Sequence, residues 1–254
     1  MNENIKTSVF MENYTIEVRD VDFNKDMKLS ALFSCLQESS SLGSSALGIG
    51  LDTIQREHNV TWVLLKMNIK IKYMPKLNEK IKIETWPQEP KALQFERDYL
   101  IFDEKGEIII RATSIWAIID LSTRMIKRSR TIEIAYPDIR TERAHNQSFN
   151  ILKASGELEL AYKKVIGYSD TDINGHLNNA KYIDYIMDCF TVDNHKEYMV
   201  MDIEVNFIHE LLPNESLILY RDISKLEENI IYIEGQRELD QLTAFKASVI
   251  IKHR

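Results

Sequence analysis

One order of hydrophobic patterns occurs twice along this chain, and that doubling constrains the fold more than any single motif. Residues 14–18 alternate apolar and polar side chains, as a strand does. Leu29, Leu32, Phe33 and Leu36 then fall at i, i+3, i+4 and i+7, the stripe of an amphipathic helix. Strand patterns follow at 67–73, 81–85, 95–102 and 107–121, with Asp103-Glu104-Lys105-Gly106 as a hairpin turn. The series restarts with a short strand at 163–167 and a helical pattern at 177–190. Strands at 199–208, 217–223, 230–235 and 243–252 complete it. Two short matches set the register. Asp22-Phe23-Asn24 stands 150 positions before Asp172-Ile173-Asn174, and Asn78-Glu79 stands 136 positions before Asn214-Glu215.

A helix followed by antiparallel strands must bury its apolar stripe, and a sheet can wrap around it. The fold class is therefore α+β, two helix-in-sheet modules in tandem. Their bounds are 1–134 and 156–254, joined by an aperiodic linker at 135–155 that holds Tyr136-Pro137-Asp138 and a polar run. The first helix runs into Ser39-Ser40-Ser41-Leu42-Gly43-Ser44-Ser45. Side chains that small either permit close packing or break the helix.

Composition excludes several classes. The formal charge is −7, so no global basic footprint for nucleic acid exists. Cys35 and Cys189 both lie in apolar helical patterns and read as small core residues, which leaves no disulfide scaffold or cysteine cage. The six histidines show no metal-ligand spacing, and neither metal nor cofactor is expected. Residues 1–6 have no apolar run behind them, and no stretch approaches the ~18 apolar residues of a membrane span. The expectation is a cytoplasmic protein without stable membrane insertion.

The chemistry concentrates in 168–182, where Asp170, Asp172, Asn174, His176 and Asn178 occupy alternate positions just before the second apolar helix. Helix capping explains one or two such residues but not five. A helix start offers N–H donors and partial positive charge to an oxyanion. Gly175 allows close backbone approach, and the amides of Gly175 and His176 are the candidate oxyanion donors. Asp172 is a candidate base or orienting group, His176 a candidate acid–base group, and Asn174 a candidate to position water or a carbonyl.

Asp172-Ile173-Asn174-Gly175-His176-Leu177-Asn178-Asn179-Ala180-Lys181-Tyr182 resembles the motif of the acyl-acyl carrier protein thioesterases, a tandem hot-dog family of plants and bacteria. The first half agrees through Leu36-Gln37-Glu38, Leu47-Gly48-Ile49-Gly50, Thr61-Trp62-Val63-Leu64, Glu84-Thr85-Trp86-Pro87, Ala112-Thr113-Ser114-Ile115-Trp116 and Ile119-Asp120-Leu121-Ser122-Thr123-Arg124. The resemblance implies a tandem double hot-dog fold, each antiparallel sheet wrapped around a long central helix. It also implies hydrolysis of fatty acyl thioesters on the carrier protein, which terminates chain elongation.

Carried over, the family's catalytic set falls on Asp172, Asn174, His176 and Glu210. The context of Glu210 departs from the plant pattern. Phe207 replaces an aromatic hydroxyl, Ile208 and His209 replace two arginines, and Leu211 stands where some plant members have cysteine. A thiol nucleophile is excluded at that point and a water-mediated reaction remains. By alternation alone Glu210 is an exposed strand-end residue. A bulge before Pro213 would turn it inward.

In the first half Asp26 stands opposite His176 and Met74 opposite Glu210, so one active site is expected, in the second half. The first half is expected to shape substrate binding through Trp62, Leu64, Trp86 and Trp116, although each reads more readily as ordinary core. The partner implied is an acyl carrier protein, itself acidic. Two basic clusters suit it: Lys66, Lys70, Lys72, Lys76, Lys80 and Lys82, and the docking candidates Arg124, Lys127, Arg128 and Arg130. Alternatives are a thioesterase acting on coenzyme A esters, a non-catalytic acyl-binding module and a hydratase on the same fold. Whether the chain forms a homodimer stays open.

Overall fold

The structure is a computed structural model that describes residues 7–132, 134, 138–146 and 148–254. The expectations for residues 1–6 and for Tyr136-Pro137 lie outside the described residues. Two compact units result. One contains 1–27, 34–67 and 72–147; the other contains 28–33, 68–71 and 148–254.

The first unit orders its strands β1 (Phe10–Thr15), β3 (Lys80–Pro87), β4 (Phe95–Phe102), β5 (Ile108–Asp120) and β2 (Val60–Ile71), whose last four residues belong to the second unit, with the short β6 (Ile126–Lys127) on β5. The first strand begins and ends earlier than residues 14–18. Ile16 instead donates its N–H to the Glu79 carbonyl, and Val18–Asp20 turns as a 3-10 helix. Helix α1 (Leu29–Ala46) buries Leu29, Leu32, Phe33 and Leu36, the stripe read from the sequence.

The serine run does not break this helix. Ser40 Oγ lies 2.8 Å from the Leu36 carbonyl and 2.5 Å from Tyr99 Oη on β4, while Ser39 Oγ lies 2.9 Å from Tyr14 Oη on β1. Any Cβ on Gly43 would stand 3.1 Å from the Phe10 Cβ and 3.2 Å from the Arg97 guanidinium. The small residues are thus the surface on which β1 and β4 approach the helix. A second helix, α2 (Leu51–His58), was not signalled by apolar spacing. Asn59, at φ 53°, closes it by donating to the Gln55 carbonyl.

Strand β4 is buried on both faces. Arg97 and Tyr99 face the helix; Glu96 and Asp98 meet the segment at 140–144. Arg143 lies 2.7 Å from Glu96 and 2.8 Å from Asp98, and Arg111 donates to the Ala144 carbonyl at 2.8 Å. Burial pushes the Asp98 carboxyl up, although Thr113 and Arg143 oppose the shift.

The second unit orders β8 (Tyr198–Phe207), β11 (Thr243–His253), β10 (Ile230–Arg237), β9 (Ser216–Asp222) and β7 (Glu159–Val165), all antiparallel where registers are fixed. Its helix α3 (Asn179–Met187) buries Tyr182, Ile183, Tyr185 and Ile186. It is shorter than the 177–190 pattern. Thr191 starts a separate helix, α4 (Val192–Glu197), by accepting the Asn194 N–H. Residues 148–156 are fastened to this sheet by carboxylates. Asn150 donates twice to Glu204 at 2.8 Å, and the amides of Ser155 and Gly156 both reach Asp222 at 2.7 Å.

Candidate active site

The loop before α3 is built around one carboxylate. Asp172 Oδ1 accepts the N–H of Asn174 at 2.8 Å and of His176 at 3.2 Å. The main chain of Asp172 pairs with His176 and Gly175, and Gly175 sits at φ 77°, where a side chain is disfavoured. Asn178 caps α3 by accepting the Ala180 N–H at 2.9 Å, and its own N–H donates to the Asp170 carbonyl. This arrangement presents Ile173, Asn174 and Gly175 to solvent and leaves His176 half-buried.

Glu210 arrives from the other direction. Ile208 and His209 both donate their N–H groups to the single carbonyl of Ala244, so two residues of one strand oppose one of its neighbour. That is a β-bulge, and it breaks the alternation that would have carried Glu210 away. Glu210 Oε2 then lies 3.5 Å from His176 Nε2. Leu211 behind it is buried, and its carbonyl accepts the Leu177 N–H at 2.8 Å, which ties the two loops together.

The first unit repeats this framework with different chemistry. Asp22 Oδ1 accepts from Asn24 at 2.8 Å and Asp26 at 3.2 Å, and Lys25 takes the left-handed position at φ 64°. Lys72 and Tyr73 both donate to Ile109, the same bulge, and Met27 donates to Pro75. Where the second unit has histidine facing glutamate, the first has Asp26 at 2.6 Å from Lys76. That ion pair commits the Asp26 oxygen to an ammonium and leaves no imidazole beside a carboxylate.

Two sequence-based roles change on this geometry. The amides of Gly175 and His176 are not open to an oxyanion, because Gly175 donates to the Asp172 carbonyl and His176 to its carboxylate. Asp172 Oδ1 is likewise committed to the loop, as Asp22 is in the first unit. The Asn174 side chain is exposed, its amide 3.5 Å from Asp172 Oδ2, and the N–H of Asn179, in the first turn of α3, has no acceptor within the helix.

Comparison with known proteins follows from this geometry. The N-terminal domain model of the acyl-ACP thioesterases matches residues 7–134, and their C-terminal domain model matches 153–246. The chain belongs to the acyl-ACP thioesterase family.

An acyl-ACP thioesterase from Bacteroides thetaiotaomicron is 25% identical, with a TM-score of 0.87 over 99% of this chain and 100% of its own. The 12:0-ACP thioesterase of Umbellularia californica is 16% identical and shares the hot-dog fold at a TM-score of 0.77, over 97% of this chain and 98% of its own. The oleoyl-acyl carrier protein thioesterase 1 of Arabidopsis thaliana is 28% identical over 74% of this chain and 57% of its own length. An acyl-[acyl-carrier-protein] hydrolase of Cuphea viscosissima is 26% identical over 70% of this chain and 46% of its own. The chain spans about half the length of these curated plant relatives.

Within this member of the family the expected pocket residues separate. Trp62 packs edge-on against Phe95 at 4.8 Å and joins Trp116, Ile49 and Ile118 in one apolar cluster. Trp116 donates to Ser114 at 2.7 Å, and Leu64 is buried. Trp86 belongs to a different cluster with Leu100 and Ala144. Its indole donates to the Glu142 carbonyl at 2.9 Å, beneath the Arg140 guanidinium. It holds the 140–144 segment and is not part of the Trp62 cluster. Burial pushes the Cys35 and Cys189 thiols up to about 12, so neither is a ready thiolate.

Sequence reasoning passed over Tyr182 and Asp170 as site-building residues. Tyr182 is buried between Phe207 and Phe245, and its hydroxyl donates to the His209 carbonyl at 3.4 Å, supporting the bulge. Burial and the nearby Glu210 carboxylate push its phenol above the ordinary range. Asp170 is buried, yet the Gly167 amide and Lys164 hold its carboxyl below the usual range. Both lie inside the 168–182 stretch. Their roles required knowing which backbone they face. Among the described residues no group of three His, Cys, Asp or Glu is placed to hold a metal ion, and no helix is long and apolar enough to cross a membrane.

Proposed function

We propose that this chain hydrolyses the thioester of a fatty acyl group carried on an acyl carrier protein. Free fatty acid and the carrier thiol are released, ending elongation. The observation that carries the proposal is the His176–Glu210 pair at 3.5 Å, set beside Asn174 on a framework that the first unit repeats without the pair. Membership of the family and the names of the relatives support the substrate class.

In the proposed reaction Glu210, with His176, takes a proton from water as its oxygen attacks the thioester carbon. The C–S bond then breaks, and the proton passes to the leaving thiolate through His176. Asn174 and the first turn of α3 stabilise the oxyanion. One such donor typically contributes about 10²–10³ in rate. Asp172 acts as a positioning residue, because its carboxylate already holds the loop amides. The acyl chain is assigned to the first unit, around Trp62, Leu64 and Trp116. Trp86 is left out of this assignment.

The test is release of free acid from acyl-ACP, acyl-CoA and enoyl-CoA substrates of several chain lengths. Acyl-ACP should have the highest kcat/KM, and Glu210→Gln should lower kcat by about 10²–10⁴. Equal turnover of acyl-CoA, or a Glu210→Gln protein with near-native kcat, would overturn the substrate or the mechanism respectively.

A further inference from the structure

The two basic clusters read from the sequence are not equivalent once folded. Three of the six lysines are matched by acids. Lys70 lies 3.2 Å from Asp202, Lys76 2.6 Å from Asp26, and Lys82 2.8 Å from Glu84. The arginine set runs from the hairpin that joins β5 to β6 into the 3-10 turn that follows β6 (Ser129–Thr131), and residues 121–132 include no acid. The adjoining Asp120 is turned inward on the hairpin itself. Its Oδ1 accepts the N–H groups of Ser122 and Thr123 at 3.0 and 2.8 Å, and its Oδ2 lies 3.2 Å from Lys127. The Thr123 amide and the Lys127 ammonium hold its carboxyl down at about 2. Lys127 is thereby neutralised within the hairpin. Arg128 and Arg130 are exposed, and among the described residues neither has an ion-pair partner. Arg124 is exposed beside them at φ 58°.

The same turn displays large apolar side chains. Leu121 is 38% exposed, Ile126 49% and Met125 66%. Three such residues in six positions of one hairpin form a patch, unlike the single exposed apolar residues found on any surface. The Ser129 amide donates to the Ala92 carbonyl, which anchors the segment that carries the arginines.

We propose that this β5–β6 hairpin is the docking surface for the carrier protein. Arg124, Arg128 and Arg130 meet its acidic side chains, and Leu121, Met125 and Ile126 meet its apolar ones. The inference rests on the acyl-ACP reading and adds the place where the partner is recognised. Charge complementarity selects the occupant. An acidic protein is attracted locally, although this chain carries −7 overall. An anionic lipid surface fits less well, because with Lys127 paired to Asp120 only three arginines remain, fewer than the roughly 4–8 basic residues of a polybasic membrane segment.

The experiment compares one acyl group on the carrier protein and on N-acetylcysteamine. Arg128→Glu combined with Arg130→Glu should raise KM for acyl-ACP by roughly tenfold or more, with turnover of the small thioester unchanged. The wild-type kcat/KM for acyl-ACP should fall as salt rises, and the variant should lose that dependence. Met125→Ser with Ile126→Ser should also raise KM for acyl-ACP while keeping the salt slope. Equal losses on both substrates, no loss on either, or arginine-dependent binding to phosphatidylglycerol vesicles in place of carrier protein would overturn the proposal. A wild-type protein that turns over acyl-CoA but not acyl-ACP would instead overturn the substrate reading on which it rests.

Discussion

Asp172 and Asp22 each accept the amides two and four residues on, at the same distances, and only Asp172 has a histidine paired with a glutamate on its loop. That comparison separates positioning from catalysis. If Asp172 orders the loop, Asp172→Asn keeps an acceptor oxygen for both amides and should retain activity within about tenfold. Asp172→Ala leaves the two N–H groups unpaired and should lose about 10²-fold or more in kcat, as a roughly 1 Å displacement of reacting groups does. A steady-state comparison of the two variants checks this. A drop for Asp172→Asn as large as for Asp172→Ala would make Asp172 the base. The identities of Asp172, Asn174 and His176 were legible as a motif. Their division of labour was not, because it depends on which lone pairs the loop already uses.

Among the elements, α1 and the bulge at 208–209 show where local pattern stops being sufficient. The serine-rich half of α1 has weak intrinsic helix preference, and it stays helical because β1 and β4 close on it. Gly43→Val should therefore destabilise the protein by about 1–3 kcal/mol through overpacking against Phe10 and Arg97, read as a fall in Tm by circular dichroism. An unchanged Tm would show that the contact yields. The bulge has no sequence signature. Strict alternation through β8 sends Glu210 away from His176. The correct placement follows only when Ile208 and His209 share the Ala244 carbonyl. A pattern of period two cannot encode where a ladder slips, since that depends on the neighbouring strand. The strand at 95–102 was read to the residue, because turn residues bound it on both sides.

At the scale of the whole molecule, acidic side chains fasten irregular chain to sheet in each unit, and their titration should set the acid limit of stability. Burial alone would raise the Asp222 carboxyl, but the Gly156, Ser224 and Ser155 amides hold it down at about 2. A carboxylate more acidic in the folded state contributes stability that is complete above its unfolded pKa of about 3.9 and is lost as pH falls towards 2. Thermal melts of Asp222→Asn should lie below wild type at pH 7, with the two curves converging as pH approaches 2. Curves that stay parallel would show that Asp222 does not contribute. The sequence alone determined the doubled order of elements, the α+β class, the buried stripe of α1 and the cluster of polar residues before α3. These follow from periodicity and spacing, which are local properties. Only the tertiary structure decided that Glu210 meets His176, that Asp172 is committed to the loop, that Trp86 and Trp62 serve separate clusters, and that Lys70, Lys76 and Lys82 are paired while, among the described residues, Arg128 and Arg130 are not. Those facts depend on residues far apart in the chain, and no local period records which of them are brought together.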